Sequence, residues 1–127
     1  MLNGLSKSEM PKLFCASDFV SSLFIPLPEM EANSANKFFD GLSSGRCILI
    51  NYGGWQEKLL LDNRAGIRLS TNSTNAAHQI VQLCQDEILV KSYGQNSRAM
   101  GEKLFSRDNL AIKLEKVLKS VLERPNL

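Results

Sequence analysis

The chain has 127 residues, with 15 Lys and Arg against 13 Asp and Glu for a net charge of +2, and it is 43% apolar and 22% charged. Eight glycines and four prolines are too few for a low-complexity or disordered chain, so the composition is that of a globular domain or part of one. So small a positive charge excludes nucleic acid or an anionic membrane as a partner recognised by overall charge, though not a local basic site.

Met1 to Met10 contains no apolar h-region, so no signal peptide is expected. Ser8-Glu9-Met10-Pro11 opens a short helix, with Ser8 as its N-cap and Leu13, Phe14 and Ala16 turned to a core. After Asp18, the β-branched and aromatic run Phe19–Ile25 reads as a buried strand that Pro26 and Pro28 end. Ser21, Ser22 and Pro26 interrupt this longest apolar stretch, which rules out a bilayer span. From Asn33 the period changes, and Ala35, Phe38, Phe39 and Leu42 share one helical face. Asn33 or Ser34 caps that helix and Gly45 closes it in a left-handed turn.

Cys47-Ile48-Leu49-Ile50 is continuously apolar, the pattern of a strand covered on both faces in a parallel sheet. Asn51-Tyr52-Gly53-Gly54 then turns into a helix from Trp55 to about Leu61, and Gly66–Leu69 is a third strand. Beyond Ser70-Thr71-Asn72-Ser73 helices follow over about Thr74–Gln85, Glu87–Leu104 and Arg107–Leu122. In the last of these Leu110, Leu114, Val117, Leu118 and Val121 form an apolar stripe opposite the solvated Lys113, Glu115, Lys116 and Lys119. The predicted class is therefore α/β, a partial parallel sheet of about three strands with right-handed crossovers and a helical C-terminal tail.

Cys15, Cys47 and Cys84 are widely spaced, odd in number and form no C-x-x-C. They indicate a reducing, cytoplasmic setting and argue against a disulfide framework or a structural zinc. Each reads as a small core residue rather than a nucleophile. A Cys–His pair would need the only histidine, His78, which sits mid-helix among Ala76, Ala77, Ile80 and Val81 and reads as packed or half-exposed.

Ligands of parallel sheets bind beyond the carboxyl ends of the strands, here Pro26–Ser34, Asn51–Gly54 and Ser70–Ser73. The first loop leads through Glu29, Glu31, Ser34, Ala35 and Asn36 into a helix start whose free amides and dipole suit an anion, with Lys37 adding a point charge. In the second, Gly53 and Gly54 lack the Cβ atoms that keep backbone away from a phosphate or sugar, although a tight turn asks for the same residues. Asp40, one turn after Asn36, is placed to accept from two vicinal hydroxyls, as acidic residues do for ribose. It also suits a plain carboxylate favoured by the helix dipole.

The stretch Asn33-Ser34-Ala35-Asn36-Lys37-Phe38-Phe39-Asp40-Gly41-Leu42-Ser43-Ser44-Gly45, followed by Ile48-Leu49-Ile50-Asn51-Tyr52-Gly53-Gly54-Trp55, resembles the C-terminal donor-binding domain of GT-B glycosyltransferases. More narrowly it is similar to the group-one retaining enzymes of bacterial surface-polysaccharide and lipopolysaccharide synthesis, amino-sugar (fucosamine-type) transferases among them. Leu13–Asp18 upstream, and Ala65-Gly66-Ile67 and Arg98-Ala99-Met100-Gly101 downstream, extend the likeness over nearly the whole chain.

The resemblance implies a nucleotide sugar, such as a UDP-sugar, as donor substrate and a saccharide or lipid-linked acceptor, with no metal or other cofactor and no nucleic acid. In the family's Glu–seven residues–Glu motif the second acidic residue binds the donor ribose. Aligned on Gly45 that position is Asp40, with Asp for Glu, while the first Glu falls at Glu31, one residue out of register. The amides around Ser34, Ala35 and Asn36, with Lys37, would face the diphosphate, and Gly53-Gly54 with Glu57 matches the family's Gly-Gly-x-x-Glu turn. Such enzymes have two domains of roughly 150 residues each. Residues 1–127 would then be one partial domain, inactive alone, without the N-terminal acceptor domain, its catalytic residues and the first strands of its own sheet. The complete enzyme would be cytoplasmic, peripheral at the inner face of the membrane in some cases. The rival readings are a non-catalytic α/β binding module and a GT-B-fold nucleotide-sugar epimerase fragment.

Overall fold

The computed structural model describes residues 4–123. The elements in order are α1 (Met10–Ala16), β1 (Phe19–Ser22), a 3-10 helix (Pro28–Ala32), α2 (Asn36–Ser44), β2 (Cys47–Ile50), α3 (Trp55–Asn63), β3 (Gly66–Arg68), α4 (Ser73–Cys84), α5 (Glu87–Phe105) and α6 (Arg107–Leu122). The three strands are parallel in the order β1-β2-β3, with Val20 beside Ile48 and Ile50 beside Arg68. This is the α/β alternation that the hydrophobic periods predict.

Side chains alternate across a strand, so β2 feeds two cores. Ile48 and Ile50 meet Val20, Phe38, Leu42, Leu60 and Met100 on one face. Cys47 and Leu49 meet Leu69 and Leu83 on the other, with Ile80, Leu89 and Tyr93 around them. Phe38, Leu42, Ile48, Ile50 and Leu60 are all within 1% of complete burial. Each contributes on the order of 1.5–3 kcal/mol of transfer free energy, set against the entropy of ordering it.

Helix α5 belongs to both cores: Leu89, Val90 and Tyr93 pack in one, Met100, Leu104 and Phe105 in the other. It passes the sheet at the amino ends of the strands, where Gly94 lies against the carbonyl of Gly45 and Gly101 against Leu42. A Cβ on Gly94 would strike that carbonyl, so the two backbones touch only because position 94 is glycine. Ser97, wholly buried between these glycines, continues the run of small residues, and its hydroxyl has no partner among the described residues. Side chains staple the same edge: Arg98 donates to the Ser43 carbonyl, Arg46 to that of Cys15, and Asn96 to that of Arg64 at 3.0 Å.

Several local expectations change. The run Phe19–Ile25 is not a buried strand throughout. β1 stops at Ser22, its residues alternate between cover and solvent, and Leu23 and Ile25 are 50% and 66% exposed. The cause is Asn51, whose amide accepts from Phe24 N–H at 2.9 Å and donates to Phe24 C=O at 2.8 Å, taking the place of strand pairing. Ser8 does not cap α1. Its hydroxyl meets that of Ser6, and the Glu9 carboxylate accepts from the Ser6 amide and hydroxyl, which holds the Glu9 pKa below its ordinary value. Only Phe14 of the expected α1 face reaches the core, because α1 leans mainly on α2 and leaves Leu13 and Ala16 in solvent. Cys15 and Cys84 are exposed rather than core residues, since each lies on the outer side of a helix packed on one face only, and His78 is exposed on α4. No helix among the described residues is long and apolar enough to cross a membrane.

Candidate functional site

The loops at the carboxyl ends of the strands are tied together by polar side chains rather than by apolar packing. Tyr52, just past β2, is buried, and its hydroxyl donates to Gln56 Oε1 and lies 3.2 Å from Ser22 Oγ at the end of β1. Burial holds the Tyr52 pKa above its ordinary value, against the smaller opposite pull of the Ser22 contact. The Trp55 indole donates to the Asn33 carbonyl at 3.0 Å, joining the start of α3 to the loop before α2. After β3, Gln79 of α4 accepts from Ser70 N–H at 2.7 Å and donates to the Arg68 carbonyl at 3.3 Å.

Gly53 and Gly54 sit in the middle of this frame. Gly54 has φ 88° and ψ −156°, a region essentially restricted to glycine, and a Cβ there would run into the backbone carbonyl of Glu31. Gly53 leaves a gap that three charged side chains enter. The point where its Cβ would stand is 3.1 Å from Glu31 Oε1, 3.2 Å from Glu57 Oε2 and 3.2 Å from Arg68 Nη1. Glu57 and Arg68 form an ion pair at 3.1 Å, partly exposed at 26% and 41%. The cluster therefore offers two carboxylates and one guanidinium, a net charge of −1. It is rich in acceptors and suits hydroxyl or ammonium groups rather than a phosphate.

An anion would find its partners at α2. The helix starts at Asn36 with Ala35 as N-cap and no side-chain cap, so neither Asn33 nor Ser34 caps it. Asn33 Oδ1 instead accepts from Ala35 N–H at 3.1 Å, and Phe38 N–H bonds the Ala35 carbonyl at 3.0 Å. The Ala35 amide is thus occupied. The amides of Asn36 and Lys37 have no partner among the described residues, and Lys37 is exposed beside them. In the loop before them, Pro28–Ala32 coils into a 3-10 helix that presents Glu31 to the glycine turn.

Of the predicted site residues, Glu31, Gly53 and Gly54 come together, and Ser34, Ala35, Asn36 and Lys37 form the helix start. Asp40 stands apart, further along α2 on the lip of a groove of about 960 Å³ that α2 shares with α5 and α6. Its carboxylate makes no hydrogen bond or ion pair among the described residues, while its backbone carbonyl accepts from the Ser43 hydroxyl at 2.9 Å. Arg68 was not foreseen. Its signal is the parallel register, which pairs it with Ile50 and so puts it beside the glycine turn. No group of three or more His, Cys, Asp or Glu side chains among the described residues is arranged to hold a metal ion. Against protein-family models, curated proteins and solved structures the chain finds no match.

Proposed function

We propose that the chain is the donor-binding part of a glycosyltransferase. It would hold a nucleotide sugar, a UDP-sugar by resemblance, for transfer to a saccharide or lipid-linked acceptor in surface-polysaccharide synthesis. The observation that carries this reading is the convergence of Glu31, Glu57 and Arg68 on Gly53 at the carboxyl end of a parallel sheet. Such an acceptor-rich cluster suits the hydroxyls of a glycosyl group. The open start of α2, with the amides of Asn36 and Lys37 and the Lys37 ammonium, suits a diphosphate. The unpaired Asp40 carboxylate, one turn along the same helix, suits the ribose hydroxyls. On this reading the diphosphate charge is met by amides and an ammonium, and no metal is needed. The exposed apolar stripe of α6 favours the second reading, a non-catalytic α/β binding module.

Titration of the full chain with UDP and a panel of UDP-sugars, followed by NMR saturation transfer, tests the proposal. Contacts to both uridine and sugar protons are expected. Asp40→Asn is expected to weaken binding by about 1.5–3 kcal/mol, since a carboxylate accepts from both ribose hydroxyls and an amide from one. Leu42→Ala, the control, costs about 2–5 kcal/mol of stability through its fully buried side chain. Absence of saturable binding by any UDP-sugar, or unchanged affinity in Asp40→Asn, refutes the assignment.

A further inference from the structure

We propose that the apolar face of α6 is the interface of an antiparallel dimer of this chain, in which the C-terminal half of each α6 fills the groove of the other copy. The helix buries none of its residues, and Leu110, Leu114, Val117 and Val121 are 45%, 60%, 58% and 57% exposed. Their spacing of four, three and four is the seam period of paired helices. The groove beside α6 has an apolar floor of Phe39, Leu42, Phe105, Leu110 and Leu114. The same face thus offers a hollow at its Leu110 end and a ridge of Val117, Leu118 and Val121 at the other.

A two-fold axis between Glu115 and Lys116 sets Leu110 beside the partner's Val121 and Leu114 beside the partner's Val117. Ridge then enters hollow twice, the self-complementarity that an isologous contact requires. Lys113 flanks the seam nearest the partner's Ser120, and Ala111 nearest the partner's Leu118, so no like charges meet. Leu110, Leu114, Val117, Leu118 and Val121 each leave about half of their surface open, and covering them in two copies would come near the roughly 1,200 Å² lower bound of a specific interface. Each stripe alone exposes about as much apolar surface as the largest patch of a typical monomer.

Charge speaks against a membrane as the occupant. Lys113, Lys116 and Lys119 are balanced by Asp108, Glu115 and Glu123, and the groove rim sets Arg98 and Arg107 against Asp40 and Glu102. An anionic surface gains nothing from such a face. The proposal rests on neither a nucleotide nor a sugar.

Sedimentation velocity of the full chain with reductant present, since Cys15 and Cys84 are exposed, provides the test. A reversible, concentration-dependent dimer is expected. Val117→Glu and Val121→Glu are expected to weaken it at least about tenfold without loss of helix content, because both side chains already face solvent. Should the glutamates unfold the chain, L114C together with V117C, in a background with Cys15 and Cys84 changed to Ser, reads the same register as a covalent dimer on oxidation. A monomer at every concentration overturns the proposal. So does a dimer that keeps its affinity in both glutamate variants, or Val117-dependent co-sedimentation with phosphatidylglycerol vesicles. Failure of the cysteine pair to cross-link overturns it as well.

Discussion

The two edges of the sheet use glycine for opposite purposes. At the amino edge, Gly94 lets the backbone of α5 touch the backbone of Gly45, and the result is contact without a gap. At the carboxyl edge, Gly53 leaves a gap that Glu31, Glu57 and Arg68 enter from three different elements. One edge is closed by backbone and helix staples, and the other is held open by polar loops. The difference separates scaffold from candidate site: a substitution at the first edge is expected to act on folding, and one at the second on the polar loops.

The comparison breaks most visibly at Gly94. Gly94→Val forces α2 and α5 apart against backbone that cannot yield, and a loss of about 3 kcal/mol or more is expected in urea denaturation. If the variant were as stable as the parent, the amino edge would not be the rigid one.

Alkaline pH is the next largest lever. Burial pushes the Cys47 thiol up to about 12, well above its ordinary value, so the folded state holds a proton that the unfolded chain releases first. Stability from this group is fully present below about pH 9 and falls by about 1.4 kcal/mol per pH unit above it, or about 3 kcal/mol by pH 11. Tyr52, also raised, adds to the loss in the same direction but starts above about pH 10. Urea midpoints measured against pH for the parent and for Cys47→Val separate the two edges. The variant is expected to keep only the later, Tyr52 portion.

Gly54→Ala acts at the carboxyl edge. Its φ of 88° and the nearby Glu31 carbonyl make the methyl group cost about 1–3 kcal/mol, paid by local displacement of the 3-10 helix. Nucleotide-sugar affinity is expected to fall further than thermal stability. Glu57→Gln is the smallest change. Its ion pair with Arg68 is partly exposed, so stability is expected to move by less than about 1 kcal/mol. Affinity measured by calorimetry is expected to change by more than that, and equal effects on both would assign Glu57 to the scaffold.

The sheet and its helices were legible where one signal dominated. Cys47–Ile50 is a four-residue apolar run between turn residues, and it is the doubly covered strand it reads as. The stripe of α6 predicted its limits, Arg107 and Leu122, although not that the stripe faces solvent. Periodicity shows an apolar face and says nothing about what covers it. The end of β1 was hidden for another reason: the residue that replaces its pairing, Asn51, is 27 positions away from Phe24. The convergence at the candidate site was legible in its glycines and in Glu31, which stand in or beside a turn. It was not legible in Tyr52, Gln56 and Ser22, a buried polar network assembled from separate elements with no charge pattern to mark it. Arg68 becomes visible only once strand register is known.

Helix α5 has a consequence for how the chain comes apart. Its 19 residues supply side chains to the cluster on each face of the sheet, and its middle rests on the turn that starts β2. Neither face can melt while α5 stays docked on the other without exposing apolar surface on both. Fraying is thereby confined to the periphery, and the two layers unfold in a single cooperative transition. Amide exchange in β2 and in the middle of α5 would then proceed at one common, slowest rate.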